Sequence, residues 1–237
     1  MNAIILAAGV GLRMREVALQ GHKAFLPIGR IPMIERLILY LHEAQISDIT
    51  IVTGHMKDLF LPLKEKYKVK LVHNKKYSMN NNLHSLELVL DEVGDTFIIH
   101  GDVAIFKNVF KQKNLNSFFY TILKESRGIP LLHPEVNKSR VITNFYKYAG
   151  PEAVTTMLGI SYWTKEDAVH LKEYFKENIS EKIKRYHHRE WEEEILNLSK
   201  KIPIEAHQLD RKYARDVNLM RDYFEACYIY DEFWKER

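Results

Sequence analysis

A chain of 237 residues with 46% hydrophobic and 28% charged side chains has the make-up of a soluble globular protein, long enough to bury a substantial core. Its net charge of +4 comes from interspersed charges with no long block of one sign, which suits a small anionic ligand and does not call for nucleic acid. No stretch approaches the roughly 20 apolar residues of a membrane span, the N-terminus does not read as a secretory leader, and the single cysteine, Cys227, has no internal disulfide partner. A cytoplasmic location, with no membrane and no nucleic-acid partner, is the expectation.

In chain order, residues 2–7 carry the unbroken apolar run Ala3, Ile4, Ile5, Leu6 and read as a buried strand. It runs into Ala7, Ala8, Gly9, Val10, Gly11, Leu12, Arg13 and Met14, with Lys23 ten residues past the arginine. Glycines let a backbone curl tightly and turn its N–H groups toward an anion. An arginine and a lysine nearby supply the fixed positive charge that a polyphosphate needs. Taken alone, the stretch is equally an ordinary strand-to-helix turn or a triphosphate site.

A helix is expected to start at Pro32, since proline is favoured in a first turn, and to run through residue 45 with Met33, Leu37, Ile38 and Leu41 at helical spacing. Residues 48–53 read as a strand closed by Gly54, 55–67 as a helix kinked or broken at Pro62, and 69–73 as a strand. Residues 81–93 read as a helix with Leu83, Leu86, Leu90 and Val93 on one side, and 97–100 as a strand running into Gly101 and Asp102. This alternation implies an α/β fold with a mostly parallel central sheet flanked by helices. Such sheets bind ligands beyond the carboxyl ends of their strands, which puts residues 9–13 and Asp102 at one edge. The second half is less regular, with strands expected at 117–123 and 155–163 and helices at 165–176, 189–198 and 217–234. It reads as a smaller subdomain packed on the same, mixed sheet. Without a linker, repeat or low-complexity segment, a single continuous domain over 1–237 is expected.

Two aspartates stand out. Asp102 ends a buried apolar strand, where a carboxylate is costly unless capped, paired or metal-bound. It is a helix-capping or loop residue, or a ligand of a hard divalent ion of the kind that takes one or two carboxylates plus phosphates and water. Asp216, just ahead of the C-terminal helix, suits helix capping and is a second metal candidate. Asn80, Asn81 and Asn82, followed by Ser85, form either a polar turn with a helix cap or a set of amides and a hydroxyl that reads a base edge or a ribose. His187 and His188 lie in a basic run, 182–189, that reads as a solvated face, and no His/Cys spacing supports a transition-metal site. A Gly-x-Ser-x-Gly elbow and a Walker-type Gly-Lys-Ser/Thr are both missing.

Together these segments resemble the bacterial choline-phosphate cytidylyltransferases, within the nucleotidyltransferase superfamily that transfers a nucleoside monophosphate to phosphorylated small molecules. Leu6 through Arg13 meet the family's opening leucine-alanine-alanine-glycine-x-glycine-x-arginine. Its downstream proline-lysine falls on His22 and Lys23, histidine replacing proline. Asn74, Tyr77, Asn81, Asn82, Ser85 and Leu86 meet, in register, asparagine-x-x-tyrosine followed by asparagine-asparagine-x-x-serine-leucine. The family's metal aspartate falls on Asp102, its late acidic residue on Asp216, and its glycine-x-x-aromatic-tryptophan strand on Gly159, Tyr162 and Trp163.

The resemblance implies a Rossmann-like sheet, residues 1–110 holding CTP and 111–237 the acceptor. It implies that Leu6, Ala7, Ala8, Gly9, Val10 and Gly11 cradle the nucleotide, that Arg13 and Lys23 neutralise the triphosphate, that Asn82 and Ser85 face the cytosine, and that Asp102 and Asp216 hold Mg2+. The nucleophile would be a phosphate or phosphonate oxygen, anionic already, so the chemistry needs positioning and electrostatics rather than a general base. CTP and a small phosphorylated metabolite are the expected partners, for a monomer or homodimer. A choline headgroup calls for an aromatic cage with a carboxylate nearby. Trp163, Tyr186 and Trp191 with Glu192 are the candidates, though each tryptophan is equally a core residue. The neighbouring Lys184, Arg185, His187, His188 and Arg189 suit an acceptor with extra negative charge instead, so phosphocholine, phosphoethanolamine, a phosphonate and a phosphorylated amino acid or sugar all stay open. Two alternatives compete: a sugar-1-phosphate nucleotidyltransferase, against which the asparagine–serine signature speaks, and a regulatory nucleotide-binding protein without activity, against which Arg13, Lys23 and Asp102 speak.

Overall fold

The computed structural model describes residues 1–14, 21–78, 82–111, 116–178, 190–199 and 201–235. Its spine is strand β1 (Asn2–Ala7). Successive strand residues face opposite ways, and here both sets are apolar. Ala3, Ile5 and Ala7 enter one hydrophobic cluster, while Ile4 and Leu6 enter another. A strand covered on both faces reads as an unbroken apolar run, and each fully buried isoleucine contributes about 2 kcal/mol by leaving water.

Two short strands, β2 (Pro27–Ile28) and β3 (Ile31–Pro32), form a hairpin before helix α1 (Met33–Glu43). Ile34, Leu37, Ile38 and Leu41 of α1 bury against the Ala3/Ile5 face. Next come β4 (Ile49–Thr53), helix α2 (Leu61–Tyr67) and β5 (Lys70–His73). Pro62 does not kink a long helix. A separate 3-10 turn, Lys57–Phe60, precedes α2, and the proline sits in the first turn of α2, where its missing N–H costs nothing. Helix α3 (Asn82–Glu87) is also shorter than its apolar spacing suggests. Leu90 belongs to a 3-10 turn, Leu90–Glu92, yet shares the core with Leu83 and Leu86.

Strand β6 (Thr96–His100) pairs in parallel with β1, as β1 does with β4 and β4 with β5. The chain then forms β7 (Val103–Ile105), β8 (Phe118–Glu125), the hairpin of β9 (Leu131–Val136) and β10 (Ile142–Tyr148), and the long β11 (Ala153–Trp163). Helix α4 (Lys165–Asn178) follows. The helix expected over 189–198 is a 3-10 turn, Trp191–Glu194, and a short α5 (Ile195–Ser199), with residue 189 outside the described residues. Last are β12 (Glu205–Gln208), β13 (Ala214–Asp216) and α6 (Met220–Phe233). The central sheet has the order β12-β8-β11-β6-β1-β4-β5, and β11 alone runs against the rest. This is the mixed, mostly parallel sheet expected.

The small β7–β13 ladder positions the site. It sets Asp216 opposite Val103, and the Val217 N–H donates to the Asp102 carbonyl at 2.9 Å. Residues 102 and 216 thus stand beside each other at the carboxyl end of β6.

Candidate active site

A cavity of about 990 Å3 opens along the carboxyl ends of β1 and β6, within the size range of small-molecule sites. Leu6, Ala7, Ala8, Gly9, Val10, Gly11 and Arg13 all line it. Two carbonyls behind it are tied down: Leu6, in β1, accepts from Gly101 N–H at 2.9 Å and Ala8 from His55 N–H at 3.0 Å. Among the described residues, the N–H groups of Gly9, Val10 and Gly11 donate to no other backbone carbonyl. A loop that leaves consecutive N–H groups open has the geometry that can hold an anion. Gly11 has φ +72°, and a Cβ there would stand 3.3 Å from the Lys23 side chain. Glycine therefore meets both the backbone and the packing demand.

Lys23 opens a 3-10 turn, Lys23–Phe25, capped by His22, whose Nδ1 accepts from Ala24 N–H at 3.2 Å. Histidine thus fixes the turn that carries the lysine at the position where the family has proline. Burial, reinforced by the Lys23 charge, lowers the His22 pKa to about 4, so this ring is neutral. Lys23 Nζ forms an ion pair with Asp102. Burial alone would raise the Asp102 carboxyl, but the charges of Lys23 and His100 outweigh it and hold that carboxyl below its ordinary value. Asp102 heads no helix: it sits in the turn between β6 and β7.

Asp216 is matched in the same way. Its Oδ2 accepts from Lys124 Nζ and from Asn218 Nδ2, both at 2.6 Å. The capping role belongs to Asp222, whose Oδ2 accepts from the N–H groups of Asn218 and Leu219 at 3.0 and 2.8 Å. Asp216 Oδ1 is buried without a hydrogen-bond partner. A buried, unpartnered carboxylate oxygen beside Asp102, on a cavity lined by a phosphate-type loop, fits a hard divalent cation that takes one or two carboxylates.

Ser85 and Asn82 both line the cavity. Ser85 Oγ accepts from the fully buried Asn74 Nδ2 at 2.9 Å, which leaves the hydroxyl proton to donate elsewhere. Asn82 is braced by the protein: Oδ1 accepts from Trp191 N–H at 2.9 Å and Nδ2 donates to Glu192 Oε2 at 3.3 Å. Glu192 Oε1 lies 2.6 Å from His100 Nε2. Burial disfavours a charged His100, but the charge and hydrogen bond of Glu192 push its pKa up to about 9. This protonated imidazole, placed by Gly159 (φ +84°), where a Cβ would stand 2.8 Å from His100 Nδ1, escaped the sequence reading. So did Lys124, one residue past the expected end of its strand.

Among the described residues the expected aromatic cage is not formed. Trp163 and Trp191 are 0% and 1% exposed, pack on each other at 6.1 Å between ring centroids, and take no part in the cavity wall. They are core residues, held where sheet and α5 meet. Glu192 does line the cavity, but its carboxylate is committed to His100 and Asn82. Tyr186 and Asn81 lie outside the described residues, as does the basic run 182–189.

A MobA-like NTP transferase domain matches residues 3–117. The choline-phosphate cytidylyltransferase of Haemophilus influenzae is 31% identical over 94% of this chain and 94% of its own. The 2-aminoethylphosphonate cytidylyltransferase of Lancefieldella rimae is 28% identical over 97% of this chain and 94% of its own. Among solved structures, the CTP:phosphocholine cytidylyltransferase of Streptococcus pneumoniae matches with a TM-score of 0.88 at 27% identity, covering 96% of this chain and 98% of that one. No described helix is long and apolar enough to cross a membrane. With likeness along nearly the whole of both chains, and a loop of open N–H groups set against two lysine–aspartate pairs, the chain belongs to the choline-phosphate cytidylyltransferase family of nucleotidyltransferases.

Proposed function

We propose that this enzyme transfers CMP from CTP to a small acceptor ending in a phosphate or phosphonate, with Mg2+ as the metal. An acceptor oxygen attacks the α-phosphorus of CTP, a new P–O–P link forms, the bond to the β-phosphate breaks, and pyrophosphate leaves. The observation that carries this reading is the pair of lysine–aspartate contacts, Lys23–Asp102 and Lys124–Asp216, on one cavity wall with the open N–H groups of Gly9, Val10 and Gly11.

The loop N–H groups, Arg13 and Lys23 take the triphosphate, holding it still and spreading its charge. Lys124 faces the incoming acceptor phosphate. Asp102 and Asp216 would hold Mg2+, which would neutralise charge on the phosphate oxygens. Ser85 donates its hydroxyl proton to the pyrimidine, while Asn82, braced by Trp191 and Glu192, closes the base pocket. No general base is needed, because the acceptor oxygen is an anion at neutral pH. Pyrophosphate release measured with CTP, UTP, GTP and dTTP in parallel tests this reading. CTP alone should support rapid release, and equal or faster release with UTP, GTP or dTTP would replace it with the sugar-1-phosphate alternative.

A further inference from the structure

The half of the cavity built from β8, the turn after it, β13 and the start of α6 commits its charges unevenly. Each carboxylate there has an oxygen engaged by protein groups, and the unpartnered Asp216 Oδ1 is the one assigned above to the metal. Glu125 accepts from Arg127 Nε at 2.8 Å. Glu225 takes both Arg127 and Arg215. Asp222 caps α6 and Asp216 is held by Lys124. The cations are left in excess. Arg211 and Arg221 line the cavity, exposed, with no ion pair among the described residues. Arg215 also lines it at only 8% exposure; its Nη2 donates to Glu225 at 2.5 Å, and its Nε has no partner. A buried guanidinium donor without an acceptor is costly, so Arg215 carries donor capacity that its pairing with Glu225 does not use. The same half presents no Phe, Tyr or Trp side chain among its described residues; the cavity's rings are those of Tyr77, His22 and His100, on the nucleotide side.

We propose that the acceptor of this enzyme carries a second anionic group, a carboxylate remote from its phosphate, and that Arg215, with Arg211 and Arg221, is the residue that selects it. The inference rests on the CMP-transfer reading above. The acceptors named for the two relatives described above, phosphocholine and 2-aminoethylphosphonate, end in an ammonium group. Among the described residues, an ammonium group entering here would meet no aromatic face and only carboxylates already engaged by cations or assigned to the metal, whereas a carboxylate matches the planar fork of a guanidinium. The phosphate end needs none of these arginines, because Lys124 stands beside Asp216 for it.

Pyrophosphate release from CTP and Mg2+, compared between phosphoglycolate and 3-phosphoglycerate on one side and phosphoethanolamine and phosphocholine on the other, tests the proposal. The carboxylate acceptors should be favoured in kcat/KM by about tenfold or more, the scale of one charge-assisted hydrogen bond. Arg215→Gln should bring the two sets level while Arg215→Lys keeps part of the preference. Arg221→Gln, on the exposed surface of α6, should narrow the preference in the same direction, whether or not the buried variant folds. Equal or better turnover of the ammonium acceptors by the unaltered enzyme would overturn the proposal and leave CMP transfer standing. A uniform loss on all acceptors in both glutamine variants would overturn it too. Absence of CTP-dependent release with every acceptor would overturn both.

Discussion

Lys23 and Asp102, 79 residues apart in the chain, form an ion pair on the cavity wall with 18% and 13% of their side chains exposed. A pair this sheltered is screened less than a surface pair, and breaking it by removing one partner leaves the other uncompensated. Lys23→Ala should lower kcat by about two to three orders of magnitude, the usual cost of removing one preorganised charge-stabilising donor. The fold should persist, because the sheet core lies behind the pair. Pyrophosphate release and circular dichroism on the same sample check this, and a near-normal rate would remove Lys23 from the machinery.

Asp216→Asn keeps the size of the side chain and its contacts with Lys124 and Asn218 within reach, but removes the charge that a divalent ion needs. The Mg2+ concentration giving half-maximal rate should rise by about tenfold or more, with a smaller change in the CTP dependence. An unchanged Mg2+ titration would assign Asp216 a purely structural role.

The buried His22 and the half-buried His100 set opposite limits on stability with pH. The His22 pKa is lowered by burial to about 4, against 6.5 unfolded. Between those values the unfolded chain takes up a proton that the folded one refuses, so stability falls on acidification, by up to about 3 kcal/mol. The His100 pKa is pushed up to about 9 by Glu192, against burial. Its contribution is fully present below 6.5 and is lost as pH rises through 9. Urea midpoints across pH 4 to 9.5 should peak near 6.5. His22→Asn should flatten the acidic side and His100→Gln the alkaline side; a variant that leaves its own side unchanged would contradict that assignment.

Trp191→Ala should act on stability rather than on acceptor choice. Its ring is buried against Phe119 and Trp163, and emptying such a site costs about 3–5 kcal/mol. Thermal melting should drop while the ratio of kcat/KM between two acceptors stays the same. A large change in that ratio at unchanged stability would return Trp191 to the acceptor site.

The nucleotide half was legible because each signal there has one physical cause. A strand buried on both faces must be apolar throughout, as Ala3 to Leu6 are, and the tight turn after it needs glycine at Gly11, with φ +72°. The β9–β10 hairpin was illegible. Val136, Tyr146 and most of its other residues are exposed or half-buried, and Pro134 interrupts what remains of a strand pattern. Strands β12 and β13, of four and three residues, are too short to carry a period. The tryptophans misled because an aromatic side chain beside glutamates has the same sequence signature in a core as in a cage. His100 gave only one hint, a titratable residue ending an apolar strand. What fixes it is Glu192, 92 residues on, a partner no spacing rule reveals.

Mass analysis of the product formed from CTP, Mg2+ and a phosphorylated acceptor decides whether this enzyme transfers CMP. The product should be an acceptor carrying one CMP unit through a new P–O–P link, with one pyrophosphate released for each. Free CMP with an unaltered acceptor, or CTP bound and recovered intact with every acceptor tried, would contradict it.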